Sequence, residues 1–259
     1  MTVHFVGAGP GAADLITLRA ASLLAAADVV LYPGTYLDAE VLSHCPDARQ
    51  VDTQRLDLDQ ITSVMVDANA EGQEVVRLTS GDPSLYSALA EQTARLDAAG
   101  VACDVCPGVP AYAAAAAAVG RELTVPLVTQ SVVLTRTHAR STAMPDTESL
   151  AAFAATKATL ILHLAITKTR SLALELVEEY GADCPVAVVY RATQPDQLVI
   201  TGTLADIADQ VEQADLKQAA VILVGRALAR EGSESWLYQA DRPRQEISDE
   251  TATNVRASN

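Results

Sequence analysis

The glycine-containing segments of this chain carry the residue types best suited to binding a nucleotide-like ligand. Gly7–Gly11, of sequence Gly-Ala-Gly-Pro-Gly, directly follows the mostly apolar run Val3–Val6. Glycines allow a tight turn and the close approach of a ligand to the backbone. The helix expected after this turn would offer its N-terminus to the same ligand. The pattern therefore predicts a nucleotide-like ligand at the end of the first strand.

Two further segments repeat this arrangement. Thr79–Tyr86, of sequence Thr-Ser-Gly-Asp-Pro-Ser-Leu-Tyr, follows the strand-like run Glu74–Leu78. Gly81 permits close approach of a ligand, and the Asp82 carboxylate can accept hydrogen bonds from ribose hydroxyls or an amino group. The alternative role for Asp82 is to cap the following helix. The third segment, Pro107–Ala111, again places a glycine turn between a strand-like run and an expected helix.

The first segment also fits the dinucleotide fingerprint Gly-x-Gly-x-x-Gly/Ala, through Gly7, Gly9 and Ala12. Pro10 argues against a dinucleotide, because it removes a backbone N–H from the loop that would hold a pyrophosphate. The expected second strand ends at Pro33 without the carboxylate that would bind a ribose. No Lys-Ser/Thr pair follows the loop, which excludes a P-loop. A turn that only connects a strand and a helix is the other interpretation.

The elements that must position these segments are those of an α/β protein. The carboxyl ends of parallel strands open on one edge of a sheet, so one ligand can contact all three turns. We expect a first α/β domain with a mainly parallel sheet over 1–120, a second with a mixed sheet over 121–240, and a loose tail over 241–259. In the first domain, helical spacing of apolar residues predicts helices over 15–27, 61–70, 85–99 and 113–119, with Asp14 capping the first and Pro83 opening the third.

Length and charge narrow the possible partners. The chain has 259 residues, which suits two domains of ordinary size, and its 33 acidic and 18 basic residues give a formal net charge of −15. A field of this sign repels phosphate backbones, so nucleic acid is not expected as a partner. The sequence shows neither a signal-peptide pattern nor an apolar run long enough to span a membrane. We therefore expect a cytoplasmic protein that does not associate with membranes.

The four cysteines do not form the framework of a disulfide-rich protein, which fits a reducing compartment. Cys103 and Cys106 have the spacing of a metal-binding pair. They lie in a predicted strand, however, and residues three apart on a strand point to opposite faces. With no second pair in the sequence, no metal site is expected.

A basic segment stands out in the acidic chain. Thr135–Pro145 is polar and contains Arg136 and Arg140. The planar forks of arginine match carboxylates well, so the segment fits a polycarboxylate substrate. A solvated loop is the alternative.

Taken together, Val6–Gly11 with Asp14–Thr17, then Ser80–Pro83, Pro107–Val109 and Val224–Arg226 resemble the tetrapyrrole methylases that use S-adenosylmethionine. The resemblance covers nearly all of the chain before the tail. It implies two α/β domains with the cofactor in the cleft between them, a small-molecule tetrapyrrole substrate and a homodimer. It places the cofactor against Pro10, Gly81, Asp82, Leu85, Pro110 and Ala111 of the first domain and against Leu164 and Ala192 of the second.

Within the family, Ser80–Gln92, Leu134–Thr137 and Ala143–Pro145 followed by Glu148 resemble the precorrin-4 C(11)-methyltransferase branch. The resemblance implies methylation of precorrin-4 at carbon 11, giving precorrin-5 in cobalamin biosynthesis. At Pro33 this branch usually has a small residue and uroporphyrinogen methylases an Asp. The alternatives are methylation of cobalt-precorrin-4, diphthine synthesis, rRNA ribose methylation, a nicotinamide oxidoreductase and a nucleotide sensor without catalytic activity.

Catalysis is expected to depend mostly on placement. The sulfonium of S-adenosylmethionine is already an activated electrophile, and the sequence shows no Ser-His-Asp or Cys-His set. Holding the methyl group in line with a ring carbon can supply much of the barrier reduction. We expect Arg136, Arg140 and Arg191 to orient the carboxylates of the tetrapyrrole, and the sequence assigns no catalytic acid or base.

Overall fold

A computed structural model describes residues 1–137 and 143–229. Its strands form two five-stranded sheets, one built from the first half of the chain and one from the second. The structure is α/β, with a parallel first sheet and a mixed second sheet, as the sequence predicted. The domain boundary at residue 120 stays a prediction, and the tail expected over 241–259 lies outside the described residues.

The first sheet is parallel throughout, in the order β3-β2-β4-β1-β5. Its strands are β1 (Thr2–Gly7), β2 (Val29–Tyr32), β3 (Arg49–Asp52), β4 (Val75–Thr79) and β5 (Ala102–Cys106). The helices of this half are α1 (Leu18–Ala26), α2 (Leu58–Ala70), α3 (Leu89–Ala98) and α4 (Ala111–Val119). Apolar side chains alternate along β1, so that Phe5 packs towards α2 and α3 while Val6 packs towards α1.

The second sheet has the order β6-β7-β10-β8-β9, with only β6 and β7 parallel. Its strands are β6 (Val132–Arg136), β7 (Thr159–His163), β8 (Pro185–Tyr190), β9 (Leu198–Thr203) and β10 (Ala220–Val224), and its helices are α5 (Leu150–Ala154), α6 (Thr169–Tyr180) and α7 (Ile207–Gln213). One face of the sheet packs on α5, α6 and α7. The alanines of α4 pack on the opposite face, so α4 connects the two halves of the molecule.

Several expected boundaries were wrong. Thr17 rather than Asp14 caps α1, because the Thr17 hydroxyl accepts a hydrogen bond from the Ala20 N–H at 3.1 Å. The third helix begins at Leu89 instead of residue 85, because Tyr86 and Ala88 have φ angles of +54° and +55°, outside the helical region. The sequence also did not indicate the short elements β3 and α5.

None of the helices in the described part of the chain is both long enough and apolar enough to cross a membrane.

Candidate active site

The glycine turns after β1, β4 and β5 lie side by side, because these strands are neighbours in the first sheet. Gly9 and Gly81 exchange two backbone hydrogen bonds, with N–O distances of 3.2 Å and 2.8 Å. The third turn joins them through Gly108, whose N–H donates to Asp82 Oδ2 at 2.8 Å. The turns predicted separately from sequence thus form one continuous surface.

Two of the glycines at these strand ends, Gly7 and Gly108, are required by close packing between backbones. A Cβ added to Gly7 would lie 2.6 Å from the Cα of Gly108 and 2.7 Å from the carbonyl oxygen of Gly81. Real Cβ atoms essentially never approach backbone atoms so closely. Gly7 and Gly108 therefore let the ends of β1, β4 and β5 approach one another closely.

The carboxylate of Asp82 connects two of the turns through hydrogen bonds. Its Oδ2 accepts from Gly108, while its Oδ1 accepts from the backbone N–H of Ser84 at 2.8 Å and from the Ser84 hydroxyl. Burial raises the pKa of Asp82, but these hydrogen bonds outweigh burial and the pKa is lowered overall. No helix starts here, so Asp82 closes a turn and does not cap α3.

A cavity of about 370 Å³ lies between this edge of the first sheet and the second sheet. Its volume is within the usual range for small-molecule sites, about 300–1,000 Å³. It is lined by all eight residues that the resemblance placed at the cofactor, namely Pro10, Gly81, Asp82, Leu85, Pro110, Ala111, Leu164 and Ala192. The structure therefore brings together residues that are up to 182 positions apart in the chain (Pro10 to Ala192).

The N-terminus of α4 opens on this cavity through Pro110 and Ala111. The first N–H groups of a helix have no acceptor within the helix, and the helix dipole favours an anionic or carbonyl group at this end. Gly81, with a φ of +68°, lies beside this terminus, since a Cβ added there would be 3.5 Å from the N atom of Ala111. The site thus offers backbone donors next to an uncrowded glycine.

The second half of the chain lines the cavity with backbone in an unusual conformation. Leu164 and Arg191 have φ angles of +52° and +44°, and both residues line the cavity. The left-handed region is unfavourable for residues with a Cβ. Thr193, with a φ of +69°, accepts a hydrogen bond from the Ala12 N–H at 3.0 Å and so ties this segment to the first turn.

A second cavity, of about 590 Å³, shares Tyr86 and Leu164 with the first. It is lined on its other sides by residues of the segments that carried the resemblance to the precorrin-4 branch, including Arg136, Met144, Pro145 and Glu148. Burial raises the pKa of Tyr86, the charge of Arg136 lowers it and that of Glu148 raises it, so both charged groups act at the boundary between the cavities.

The three arginines expected to orient the substrate differ in position. Arg136 lines the second cavity and Arg191 lines the first. The Nε atom of Arg191 lies 2.9 Å from Asp196 Oδ1, in an ion pair without hydrogen-bond geometry. Part of its charge is therefore already neutralised by the protein. Arg140 lies outside the described residues.

Sequence reasoning missed several residues of the first cavity. They include Tyr36 and Tyr86 from the first half and His163, Gln194 and the segment 217–221 from the second. Tyr86 and His163 are next to Leu85 and Leu164, which the motifs had identified. Their positions in the sequence could therefore have indicated that they line the cavity. The segment 217–221 carries no motif, and only the antiparallel pairing of β10 with β7 and β8 brings it to the cleft.

The cysteine pair does not form part of this site. Cys106 is buried, whereas Cys103 is partly exposed. Within residues 1–137 and 143–229, no group of three or more His, Cys, Asp or Glu side chains could hold a metal ion.

The chain is similar to known proteins over most of its length. The precorrin-4 C(11)-methyltransferase of Rhodococcus erythropolis is 55% identical over 246 residues, covering 94% of this chain and 99% of that protein. A solved cobalt precorrin-4 methyltransferase has a TM-score of 0.85 at 38% identity, covering 88% of this chain and 96% of its own. The uroporphyrin-III C-methyltransferase of Thermus thermophilus, solved in complex with S-adenosylhomocysteine, has a TM-score of 0.73 at 27% identity, with coverages of 88% and 99%.

Residues 2–208 match the family model described as Tetrapyrrole (Corrin/Porphyrin) Methylases. This match includes both sheets through β9 and the glycine turns that border the cavity. The fold, the arrangement of the turns and the similarity to these proteins agree, and the chain belongs to the tetrapyrrole methylase family.

Proposed function

We propose that this protein transfers a methyl group from S-adenosylmethionine to carbon 11 of precorrin-4, giving precorrin-5 in cobalamin biosynthesis. The observation that carries the proposal is the single cavity lined by all eight residues that the family resemblance assigned to the cofactor. The 55% identity to a precorrin-4 C(11)-methyltransferase over 94% of the chain supports the choice of substrate.

The residues of the first cavity fit S-adenosylmethionine. The N-terminus of α4 suits a carboxylate or carbonyl group. Leu85, Leu164 and Ala192 supply apolar surface for an aromatic base, and Gly81 leaves room for close contact with the backbone. When bound, this cofactor supplies a methyl group on a sulfonium, which is electrophilic enough to need no covalent nucleophile from the protein.

The contribution of the protein is placement. The glycine turns, held together by Asp82 and the Gly9–Gly81 hydrogen bonds, form a preorganised wall of the cavity. Holding two reactants in the reacting geometry can lower a barrier by about 7–11 kcal/mol. The second cavity shares Tyr86 and Leu164 with the first, which supports a tetrapyrrole bound next to the methyl donor.

Arg136 is the arginine that we expect to contribute most to tetrapyrrole binding. It lines the second cavity, where we place the tetrapyrrole, whereas Arg191 lines the first. Arg136→Gln should raise the Kd of precorrin-4 about tenfold or more, because hydrogen bonds to charged groups contribute about 1.5–3 kcal/mol. Arg191→Gln should have a smaller effect. Both Kd values are measured from the change in absorption of the macrocycle on binding. An unchanged Kd of precorrin-4 in Arg136→Gln would rule out a role of Arg136 in tetrapyrrole binding.

The test of the proposed function separates cofactor from substrate. Calorimetry should show binding of S-adenosylmethionine and none of NAD, which a nicotinamide oxidoreductase would bind. Methyl transfer to precorrin-4 should then yield a product one methyl group heavier by mass spectrometry. Parallel reactions with cobalt-loaded precorrin-4 distinguish the two forms of the pathway, and cofactor binding without any methyl transfer would indicate a sensor instead.

We also propose that the protein acts as a cytoplasmic homodimer. The family resemblance supports the dimer, and the absence of disulfides among Cys45, Cys103, Cys106 and Cys184 fits a reducing compartment. Light scattering of the purified protein should give twice the mass of 27.2 kDa. A mass equal to that of one chain would exclude the dimer.

A further inference from the structure

One polar group in the cleft has no role in the function proposed so far. His163 ends β7 and lines the first cavity. Its Nε2 atom is buried and has no hydrogen-bond partner in the part of the chain that the structure describes. Buried polar atoms in folded proteins are nearly always paired, and exceptions often have a catalytic role or meet a missing ligand. The unpaired nitrogen therefore indicates a partner that arrives with the substrate.

The imidazole of His163 contacts the ring of Tyr86, which lies in the bend between β4 and α3. The two ring centroids are 5.6 Å apart and the rings are inclined at 54°. Tyr86 and Leu164, the residue after His163, line both cavities. His163 thus lies at the boundary where a tetrapyrrole in the second cavity would meet a methyl donor in the first.

The surroundings keep this imidazole uncharged. Burial lowers the pKa of His163, and no carboxylate of the described residues forms an ion pair with it. In the parallel pairing of β6 with β7, Arg136 lies opposite His163 and adds positive charge nearby. The other titratable or charged groups around the two cavities are Glu91 and Glu148 in the second, Tyr86 in both, and Tyr36, Asp82, Arg191 and Lys217 in the first.

We propose that His163, through Nε2, accepts the proton that the tetrapyrrole loses when its ring carbon is methylated. This role rests on the proposed function. The ring carbon uses a carbon–carbon double-bond pair to form the new C–C bond, and the S–CH₃ bond breaks with its electrons left on sulfur. Positive charge passes from the sulfonium to a conjugated N–H group of the macrocycle. Transfer of that proton to Nε2 leaves a neutral imine and an imidazolium, which releases the proton to water.

His163→Gln is the sharpest test, because the amide keeps a hydrogen-bond acceptor but cannot take up a proton. We expect little change in the Kd of S-adenosylmethionine by calorimetry, or in that of precorrin-4 by macrocycle absorption with S-adenosylhomocysteine present. The single-turnover methyl-transfer rate should fall about 100-fold, the lower end for general acid–base catalysis. His163→Leu removes the acceptor as well and should also weaken precorrin-4 binding.

The pH profile and chemical rescue separate a chemical role from a structural one. In the unmodified protein the rate should fall as the pH drops through the lowered pKa of His163, because the imidazolium cannot accept a proton. This acidic limb should be absent in His163→Gln. Added imidazole should restore part of the rate of His163→Ala.

Two results would overturn the role of His163. One is a His163→Gln variant with the unmodified rate, and the other is a rate loss explained entirely by weaker cofactor binding. Failure of the unmodified protein to methylate precorrin-4 would instead refute the proposed function, and this role with it. The binding measurements on the unmodified protein and the variants show which of the two has failed.

Discussion

At the scale of single residues, Asp82 holds two turns together and also borders the first cavity. Its two carboxylate oxygens already accept hydrogen bonds from Ser84 and Gly108, yet the residue still lines the first cavity. Each carboxylate oxygen can accept more than one hydrogen bond. Asp82 can therefore hold two turns together and still present lone pairs to a ligand.

Asp82→Asn should destabilise the protein at neutral pH by about 1–2 kcal/mol, because the amide has one acceptor oxygen where the carboxylate uses two. The donors to the other oxygen would face an NH2 group instead of an acceptor. The folded-state pKa of Asp82 is lowered. Its stabilising contribution is therefore fully present above the unfolded pKa, about 3.9, and is lost as the pH falls through the folded value. Urea denaturation of the unmodified protein and of Asp82→Asn, at pH 7 and below pH 4, measures this pH-dependent contribution to stability.

The difference in unfolding free energy between the two proteins should shrink at the lower pH. Ser84→Ala is the graded control, because it removes the hydroxyl donor and keeps the backbone donors. Ser84→Ala should lower the free energy of unfolding less than Asp82→Asn does. A constant difference at all pH values would show that the charge of Asp82 does not stabilise the turns.

The residues that could be predicted from sequence are those whose role depends on the backbone. Gly81 and Pro110 stand in turns that leave a readable pattern of strand, glycine and helix. The unpaired state of the His163 Nε2 atom leaves no such pattern, because it depends on the surroundings of the side chain in the folded protein. The pairing of Arg191 with Asp196 likewise depends on a loop conformation with positive φ.

At the scale of elements, the three strand ends are held at distances that only glycine allows. Gly7→Ala should strongly destabilise the first sheet and weaken S-adenosylmethionine binding, since its Cβ would overlap backbone atoms of Gly81 and Gly108. Gly100→Ala is the matched control. Its φ is +71°, but no atom lies within 4 Å of the added Cβ, so its cost should be about 1 kcal/mol.

Thermal unfolding and calorimetry of both variants distinguish overlap from backbone strain. The expected result is a much lower melting temperature and weaker cofactor binding for Gly7→Ala only. Equal losses of stability in the two variants would contradict the packing of the turns described here.

Helix α3 positions the bend that carries Tyr86. Gln92 on α3 is 1% exposed, and its amide donates to the carbonyl oxygens of Ser87 and Ala88, each at 3.1 Å. Its side-chain oxygen accepts from Nε of Arg77 at 3.0 Å. Burial lowers the pKa of Arg77 to about 10. The bend therefore rests on a buried polar network and not on apolar packing alone.

Gln92→Met should cost about 2–4 kcal/mol of unfolding free energy, because Nε of Arg77 and the Ser87 carbonyl lose the Gln92 side chain as their partner in the interior. The Ala88 carbonyl keeps its bond from the backbone N–H of residue 92. Since the network also holds the Tyr86 bend, precorrin-4 affinity should fall as well. Chemical denaturation and macrocycle absorption measure the two effects. Glu91→Gln, at the neighbouring solvent-exposed position, should leave stability within about 0.5 kcal/mol.

At the scale of the whole molecule, the sequence predicted two sheets of different type because strand and helix patterns alternate differently in the two halves. The buried face of the alanine-rich helix α4, in contrast, could not be predicted from sequence. Its periodicity is too uniform to reveal which face is buried, and the structure packs it on the second sheet. The cleft therefore depends on a helix that follows one sheet in sequence and packs against the other in space.

The net charge of −15 should oppose the arrival of a polycarboxylate substrate. Two cations near the cleft, Arg191 and Lys217, are paired with Asp196 and Asp215, so they do little to reverse this field. Raising the ionic strength from about 0.01 M to 0.1 M shortens the Debye length from about 30 Å to 10 Å. The second-order rate constant for precorrin-4 binding, measured by stopped-flow absorption, should therefore rise with salt.

Neutral salts of different cations serve as controls for specific ion effects. A rate constant that falls with added salt would mean that local positive charge at the second cavity attracts the substrate more than the whole molecule repels it.

The left-handed backbone at Tyr86, Leu164 and Arg191 has a consequence for engineering and for natural variation. Glycine would adopt these angles with less strain, so substitutions there can raise stability while removing side chains that line the cleft. Selection for thermal stability alone would therefore first replace side chains that line the cleft. Variants of this protein that become more heat-resistant through these positions should be judged by the catalysis that they lose.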